Sequence, residues 1–382
     1  MELQIQSMKK HKLQRAALII GTGEFVNELL EEIARHPEFG YHIIGLVAWD
    51  NQVADNSCVP PLLGSLENIN RIIQQETPQV IIVALPHNRE GISDHQLLEA
   101  RVCRKIKIEE AESVYEKITG KLPIQALSPR GVIYSDDFLP GRLTLLATRQ
   151  LSIFFALIGL VLSAPLLLLI ALLIKLDSPG PVLFVQERIG LGGKTFKLMK
   201  FRTMRTATER TSEWEGDNVH RITRIGRLLR KFRLDELPQF FNILGGDMNL
   251  VGPRPHPASN FELFVLVSRN MPECGIPIPF YSLRTSVLPG ITGWAQVRYQ
   301  YANNINEEIE KLRFDLYYLK HYSLWFDLRI ILETVRTVLL GHGSAPKASI
   351  KSITAVAGEL NPGLLLSPPA PRTRHEKSTY RI

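Results

Sequence analysis

The stretch RAALIIGTGEFVNELLEEIA, residues Arg15–Ala34, decides the architecture of the first part of the chain. It opens with an apolar run typical of a buried strand, turns at Gly21-x-Gly23, and continues with Phe25, Leu29, Leu30 and Ile33 at helical spacing. A second strand is expected at HIIGLVAWD (His42–Asp50), a helix around Leu66–Gln75, and a third strand at QVIIVALP (Gln79–Pro86).

Strands that alternate with helices predict an α/β fold with a Rossmann-like parallel sheet, taken to occupy residues 1–140. The dinucleotide fingerprint is incomplete, because Val26 stands at the third glycine position. Asp50 ends the second strand, where it could read a ribose, but a Gly-x-Gly turn also serves simply to close a strand–helix junction. The reading is therefore a structural or regulatory domain. Residues 105–149 hold short strand-like runs such as RGVIYSDDF and no recognisable chemistry.

The 382 residues suffice for two or three domains, and 45% hydrophobic with 22% charged residues is ordinary for a folded protein. A net charge of +7 with pI near 9.2 favours an anionic partner: nucleic acid, an acidic lipid surface or a phosphorylated substrate. Cys58, Cys103 and Cys274 are far apart and form no CxxC pair, which excludes a zinc ribbon or a disulfide framework. Met1–Arg15 is polar and basic and does not read as a secretory signal.

Compartment is read from LSIFFALIGLVLSAPLLLLIALLI (Leu151–Ile174), 24 residues without a charge. That exceeds the ~20 residues a helix needs to cross a bilayer. Pro165 lies near its centre, with Ser163 two residues earlier. Both flanks are basic: Arg142 and Arg149 before, Lys175, Arg188, Lys194, Lys197, Lys200 and Arg202 after. Positive charge on both sides predicts that both ends emerge into one compartment. Residues 141–176 are accordingly expected to form a re-entrant helical hairpin broken at Ser163 and Pro165, with every soluble part cytoplasmic.

Lys175–Met204 carries a turn at Ser178-Pro179-Gly180-Pro181 and two strand-like stretches around Gly190–Gly193, which predicts a hairpin on the membrane surface. Its basic residues contact lipid or substrate phosphate, or form a solvated face. Between Arg221 and Arg233 stand six Arg/Lys, beside Ile222, Ile225, Leu229 and Phe232 at helical spacing. Such a basic amphipathic helix suits an anionic membrane interface. No zinc-finger, helix-turn-helix or RNP pattern supports nucleic acid as a partner.

That helix runs into RKFRLDELPQFFNILGGDMNLVGPRP (Arg230–Pro255). Asp235 and Glu236 follow Arg230, and a short turn rigidified by Pro253 and Pro255 presents Arg254. Phosphoryl transfer needs an in-line nucleophile, fixed cations and a divalent metal bridging phosphate oxygens. A carboxylate can be the nucleophile, through an acyl phosphate, and its neighbour can help hold Mg2+. Spacing alone leaves open which of the two attacks.

In order along the chain, the stretches Lys175–Met204, RITRIGRLLRKFRLDELPQFFNILGGDMNLVGPRP, LPGITGWAQVRY and KLRFDLYYLKHYSLWFDLRIILETV resemble the bacterial sugar transferases, which are monotopic polyprenyl-phosphate phosphoglycosyl transferases. The likeness covers most of Arg149–Leu340, and YEKITGKLPI ahead of it is similar to the exopolysaccharide-synthesis subgroup. The resemblance implies transfer of a sugar phosphate from a UDP-sugar to undecaprenyl phosphate with release of UMP, at the cytoplasmic face of the inner membrane. It implies Asp235 as nucleophile, Glu236 as its dyad partner, Arg230 as a phosphate contact, Mg2+ held by Asp235 and Glu236, and Arg254 near the nucleotide. Pro253, Pro255, Lys200, Arg202 and Gln239 complete the candidate substrate contacts.

The sequence departs from the family pattern in three places. The helix break reads Ala164-Pro165 with Ser163 one position early, Ser152 stands where an Asp often follows the basic residue before the hairpin, and the approach to the basic helix reads Val219-His220-Arg221-Ile222-Thr223. The chain is expected to be a short form without the four-helix membrane bundle with which that subgroup usually begins. The catalytic domain is placed at 177–343, α-rich and interfacial, and a proline-rich disordered tail at 344–382. The aromatic run Phe314–Phe326 fits an interfacial helix or core packing equally. The sugar is left open, as is a homodimer. A different class of function, a catalytically inactive membrane-anchored regulator that senses nucleotides, is the alternative.

Overall fold

The computed structural model describes residues 14–49, 60–84, 94–127, 129–138, 140–205, 221–258, 280–299 and 305–339. Asp50, Val219-His220 and the expected tail 344–382 lie outside the described residues.

The first layer is β1 (Arg15–Ile20), α1 (Glu24–Arg35), β2 (Tyr41–Ala48), β3 (Leu62–Ser65), α2 (Ile69–Glu76), β4 (Val80–Val83), α3 (Asp94–Val102), β5 (Lys107–Glu110) and α4 (Ala111–Thr119). The five strands pair in parallel in the order β3-β2-β1-β4-β5. β1 is central, and Ala17–Ile20 are fully buried because helices cover both faces of the sheet. Val26, Leu29 and Ile33 of α1 with Val114, Tyr115 and Ile118 of α4 pack on one face. Ile69, Ile72 and Ile73 of α2 with Ala100 of α3 pack on the other.

Gly21 has φ 132°, and a Cβ there would collide with the carbonyl of Ala84. Close packing of β1 against the end of β4 therefore accounts for this glycine. The run RGVIYSDDF, strand-like by its Val and Ile, is instead helical: α5 spans Pro129–Tyr134, and a 3-10 turn covers Asp136–Phe138. Pro129 suits the first position of a helix, and β-propensity counts only where a partner strand is available.

The apolar segment is a single helical element, α6 (Arg142–Asp177), with Pro165 inside it. Where the sequence predicts two helices joined at a break, helix assignment is continuous. Thr148, Ser152 and Ala156 are buried near one end, and Ile170 and Ile174 near the other. Gly159, Ser163 and Leu167 lie between them on the same stripe, spaced three or four residues apart.

That stripe rests on the second half of the protein along its length. Ala156 packs with Leu198, Ile243 and Met248, Gly159 faces the ring of Phe240, and Ile170 and Ile174 pack with Phe201 and Leu229. The opposite face is open, with Val161, Leu162 and Leu168 about three-quarters exposed (74%, 74% and 75%). By length and composition the helix could cross a membrane.

The second half begins with the antiparallel hairpin β6 (Leu183–Ile189) and β7 (Thr195–Phe201), as expected from the glycine turn. Next come α7 (Arg224–Lys231), a 3-10 turn at Leu234–Glu236, α8 (Gln239–Gly245), and β8 (Asn249–Val251), which pairs in parallel with β9 (Gly290–Thr292). Finally α9 (Trp294–Arg298), α10 (Ile305–Lys320) and α11 (Leu324–Leu339) close the core. Phe314 and Tyr318 are buried there, and Tyr317 stacks on Trp294, so core packing describes most of the aromatic run. Trp325 alone of that run is broadly exposed, at 82%.

Hydrogen bonds from Arg149 and Ser152, among others, hold α6 to this half. Arg149 donates to the carbonyls of Ile243 (2.6 Å) and Met248 (2.6 Å), satisfying the exposed C-terminal end of α8. Ser152 Oγ accepts from Leu250 N at 3.1 Å and donates to Thr148 O at 2.8 Å. The hydroxyl at the family's usual acidic position therefore makes a buried link to β8.

The sheet is bolted to α10. Arg313 pairs with Glu28 (2.8 Å), Lys121 with Glu310 (2.6 Å) and Lys320 with Glu116 (2.8 Å). Leu122 and Ile124 join the core cluster of the second half, and Trp294 Nε1 donates to Gly120 O at 2.7 Å.

If the open face of α6 is immersed in lipid, both ends of the helix lie on one side of the bilayer. Single cysteines at Gly141 and Gly180 should then respond alike to a membrane-impermeant maleimide added outside spheroplasts, both reacting or both resisting until permeabilisation. Labelling of just one from outside would show that the helix crosses.

Candidate active site

β7, α7 and the turn after it build the site. Thr223 caps α7 by accepting from Gly226 N at 3.0 Å, and Thr223 N donates to Thr203 O at 3.0 Å. The first turn of α7 is thus fixed on the continuation of β7. Arg230, in its last turn, donates from Nε to Thr203 Oγ1 at 3.2 Å. The chain then reverses at Arg233, which has φ 52°, a left-handed conformation costing a non-glycine residue ~1 kcal/mol or more. That kink delivers Asp235 and Glu236 as a tight 3-10 turn instead of a continued helix.

The two carboxylates meet different surroundings. Glu236 is buried and lies between two guanidinium groups, Arg254 Nη1 at 3.2 Å and Arg233 Nη1 at 3.5 Å. Burial acts to raise its pKa, but Arg254 and Arg233 outweigh it and hold the carboxyl below the ordinary glutamate range. Asp235 makes no carboxylate hydrogen bond or ion pair among the described residues. Burial and the charge of Glu236 push it up to about 6, with Lys200, Arg230 and Arg254 pulling against them.

Lys200 reaches this cluster from β7. Burial, then repulsion from Arg188 and Arg254, brings its ammonium down to about 8, and Asp235 acts in the opposite direction. Arg254 reaches Glu236 from the loop after β8, between Pro253 and Pro255. Gly252 admits β9 against this loop, since a Cβ there would strike the carbonyl of Leu288. Gln239 is buried at the first position of α8.

Arg202 departs from the expected grouping. It lies one residue beyond β7, and its buried guanidinium donates to Ser178 O (2.7 Å), Ser178 Oγ (3.1 Å) and Pro179 O (2.9 Å). Its role here is to close the end of α6, and strand alternation does not extend to it. Ser163 and Pro165 lie on α6, apart from the dyad; Ser163 Oγ is buried without a hydrogen-bond partner among the described residues.

Sequence spacing did not single out Arg233, Thr203 or the groups behind Arg254. Arg233 was one cation among six, and only its backbone conformation reveals its role. What the arrangement offers is one unengaged carboxylate beside one clamped carboxylate, inside an arc of lysine and arginine suited to a diphosphate.

Comparison with known proteins identifies the family. The family described as "Bacterial sugar transferase" matches residues 143–341. The UDP-N-acetylgalactosamine-undecaprenyl-phosphate N-acetylgalactosaminephosphotransferase of Aeromonas hydrophila is 39% identical over 240 residues, 63% of this chain and 54% of the relative. The UDP-glucose:undecaprenyl-phosphate glucose-1-phosphate transferase of Xanthomonas campestris pv. campestris is 34% identical over 343 residues, 84% of this chain and 66% of the relative. The exopolysaccharide production protein PSS of Rhizobium leguminosarum bv. phaseoli is 43% identical over 195 residues, 50% of this chain and 94% of the relative. The chain thus spans between half and two thirds of the first two. With more than half its residues matched by one family, the chain belongs to the bacterial sugar transferases.

Proposed function

We propose that this protein transfers a sugar phosphate from a UDP-sugar to undecaprenyl phosphate by double displacement through Asp235, as the first membrane step of exopolysaccharide synthesis. The observation that carries the reading is the asymmetry of the dyad: Glu236 is held by Arg233 and Arg254, while the Asp235 carboxylate is unengaged among the described residues. An Asp235 oxygen attacks the β-phosphorus, and the bond from that phosphorus to the bridging oxygen breaks. UMP leaves with the bridging oxygen and its electron pair. An oxygen of the lipid phosphate then attacks the same phosphorus and releases Asp235, giving a lipid diphosphate sugar.

Arg230 and Lys200 are placed to neutralise the phosphate oxygens, and Arg254 connects that charge to Glu236. A divalent ion fits the donor set. Mg2+ takes one or two carboxylates together with substrate phosphates and water. Asp235 and Glu236 could supply those carboxylates, whereas no cluster of three or more His, Cys, Asp or Glu able to hold a metal alone occurs among the described residues. When bound with the diphosphate, the ion would supply charge neutralisation.

Placement at the cytoplasmic face of the inner membrane is supported by α6, whose one face is packed and whose other is apolar and open. A site beside such a helix can receive a water-soluble donor and a lipid acceptor in turn.

Detergent-solubilised protein with Mg2+, undecaprenyl phosphate and a panel of UDP-sugars should release UMP with a preferred sugar. Asp235→Asn should lose the activity by at least ~10³-fold. Release that survives this substitution would remove Asp235 as nucleophile.

The rate should rise with pH through about 6, as Asp235 ionises, and fall above about 8, as Lys200 loses its proton. Glu236→Gln removes the neighbouring like charge and should move the rising limb to lower pH, while Lys200→Met should abolish the falling limb. A rising limb unmoved in Glu236→Gln would show that the two carboxyls do not interact.

A further inference from the structure

The loop that carries Arg254 lacks three backbone donors, because Pro253, Pro255 and Pro257 have no N–H. It is held from outside, through its carbonyls. Pro253 O accepts from Gly290 N at 3.0 Å, Pro255 O from Arg188 Nη1 at 3.0 Å, and His256 O from Ile189 N at 2.9 Å. The remaining carbonyl, that of Arg254 itself, accepts from Arg284 Nη2 at 3.3 Å.

Arg284 stands in the 3-10 turn Tyr281–Ser286 and is buried. The same Nη2 lies 2.8 Å from Asp315 Oδ2 of α10, and these side chains are 5% and 2% exposed. Nη1 donates to Tyr281 OH at 3.2 Å, and that hydroxyl lies 3.1 Å from His256 Nδ1. One planar guanidinium therefore ties α10 to the loop directly at residue 254 and, through Tyr281, at residue 256. A lysine ammonium cannot reproduce that fork. Burying such a pair rarely stabilises a fold more than apolar residues of the same volume would, so its use here favours geometry as the reason.

On the transferase reading above, we infer that Arg284, braced by Asp315, is a positioning residue that sets where the Arg254 guanidinium meets Glu236 and the incoming diphosphate. Arg284 touches neither the dyad nor, on this assignment, the substrate. It acts through the backbone of Arg254.

A double-mutant cycle tests this. Arg284→Lys should lower kcat/KM for UMP release about ten- to a hundredfold in the wild-type background, the scale of a misplacement near 1 Å. When Arg254 is already Ala, the same change should cost less than about twofold, since the side chain being positioned is gone. The fall in Tm should be similar in both backgrounds. An equal fold-loss in both, or no loss in the wild-type background, would overturn the inference and leave the transferase reading standing. Absence of UMP release from wild-type protein would overturn that reading and the inference together. Should Arg284→Lys fail to fold, Tyr281→Phe removes the hydroxyl that accepts from Arg284 while keeping the ring, and must show the same non-additivity.

Discussion

Two carboxylates on adjacent residues of a shielded turn repel each other, and at neutral pH both can be ionised only if cations absorb the charge. In this protein Arg233 and Arg254 pair directly with Glu236, while Asp235 feels Lys200, Arg230 and Arg254 without a direct ion pair among the described residues. The rest of the site follows from that constraint. Arg233 must adopt a left-handed backbone to turn the dyad out of the helical register. Arg254 must arrive from a separate segment, so the loop after β8 is stiffened with prolines and fastened by its carbonyls to β9, the hairpin and Arg284. Asp235, near Lys200 and Arg230, is on the proposed reading the carboxylate available for chemistry.

The same framework sets the relation between site and lipid. β7 contributes Lys200 to the dyad and Leu198 and Phe201 to the packing against α6. α8 closely follows the dyad, packs on α6, and has the carbonyl of Ile243 in its last turn bonded by Arg149 of that helix. The turn that carries Asp235 is thus short-coupled to the helix with the open apolar face. On the proposed reading, this coupling is what brings a donor from water and an acceptor from lipid to one site.

Much of this was legible in the sequence because it rests on local rules. The buried strands β1, β2 and β4 announce themselves as apolar runs, whereas β5 (KIEE) is a charged edge strand and β3 (LLGS) follows its two leucines with Gly and Ser, so neither carries such a signal. The dyad and the proline loop could be read from their spacing. Arg284 and Asp315 could not, because their roles depend on contacts between segments 30 or more residues apart, and a buried Arg looks in sequence like any other. By sequence Arg202 groups with Lys200 as one more cation of the hairpin, and only its contacts with Ser178 and Pro179 show that it closes the end of α6. The notion of a broken hairpin came from Pro165, but one proline removes a single backbone donor, and packing along a whole stripe of α6 keeps the element helical on both sides of it.

The proposed covalent step at Asp235 is the part of the mechanism on which the other roles depend. Intact-mass spectrometry of the protein mixed with Mg2+ and its preferred UDP-sugar, with no lipid acceptor, measures it most directly. The account predicts a mass gain of one sugar phosphate, located on the peptide containing Asp235, with one UMP released per modified chain and loss of the adduct when undecaprenyl phosphate is added. Turnover to lipid-linked product in the presence of acceptor, with no adduct under any quench condition, would instead mean that the lipid phosphate attacks the UDP-sugar directly and that Asp235 serves another purpose.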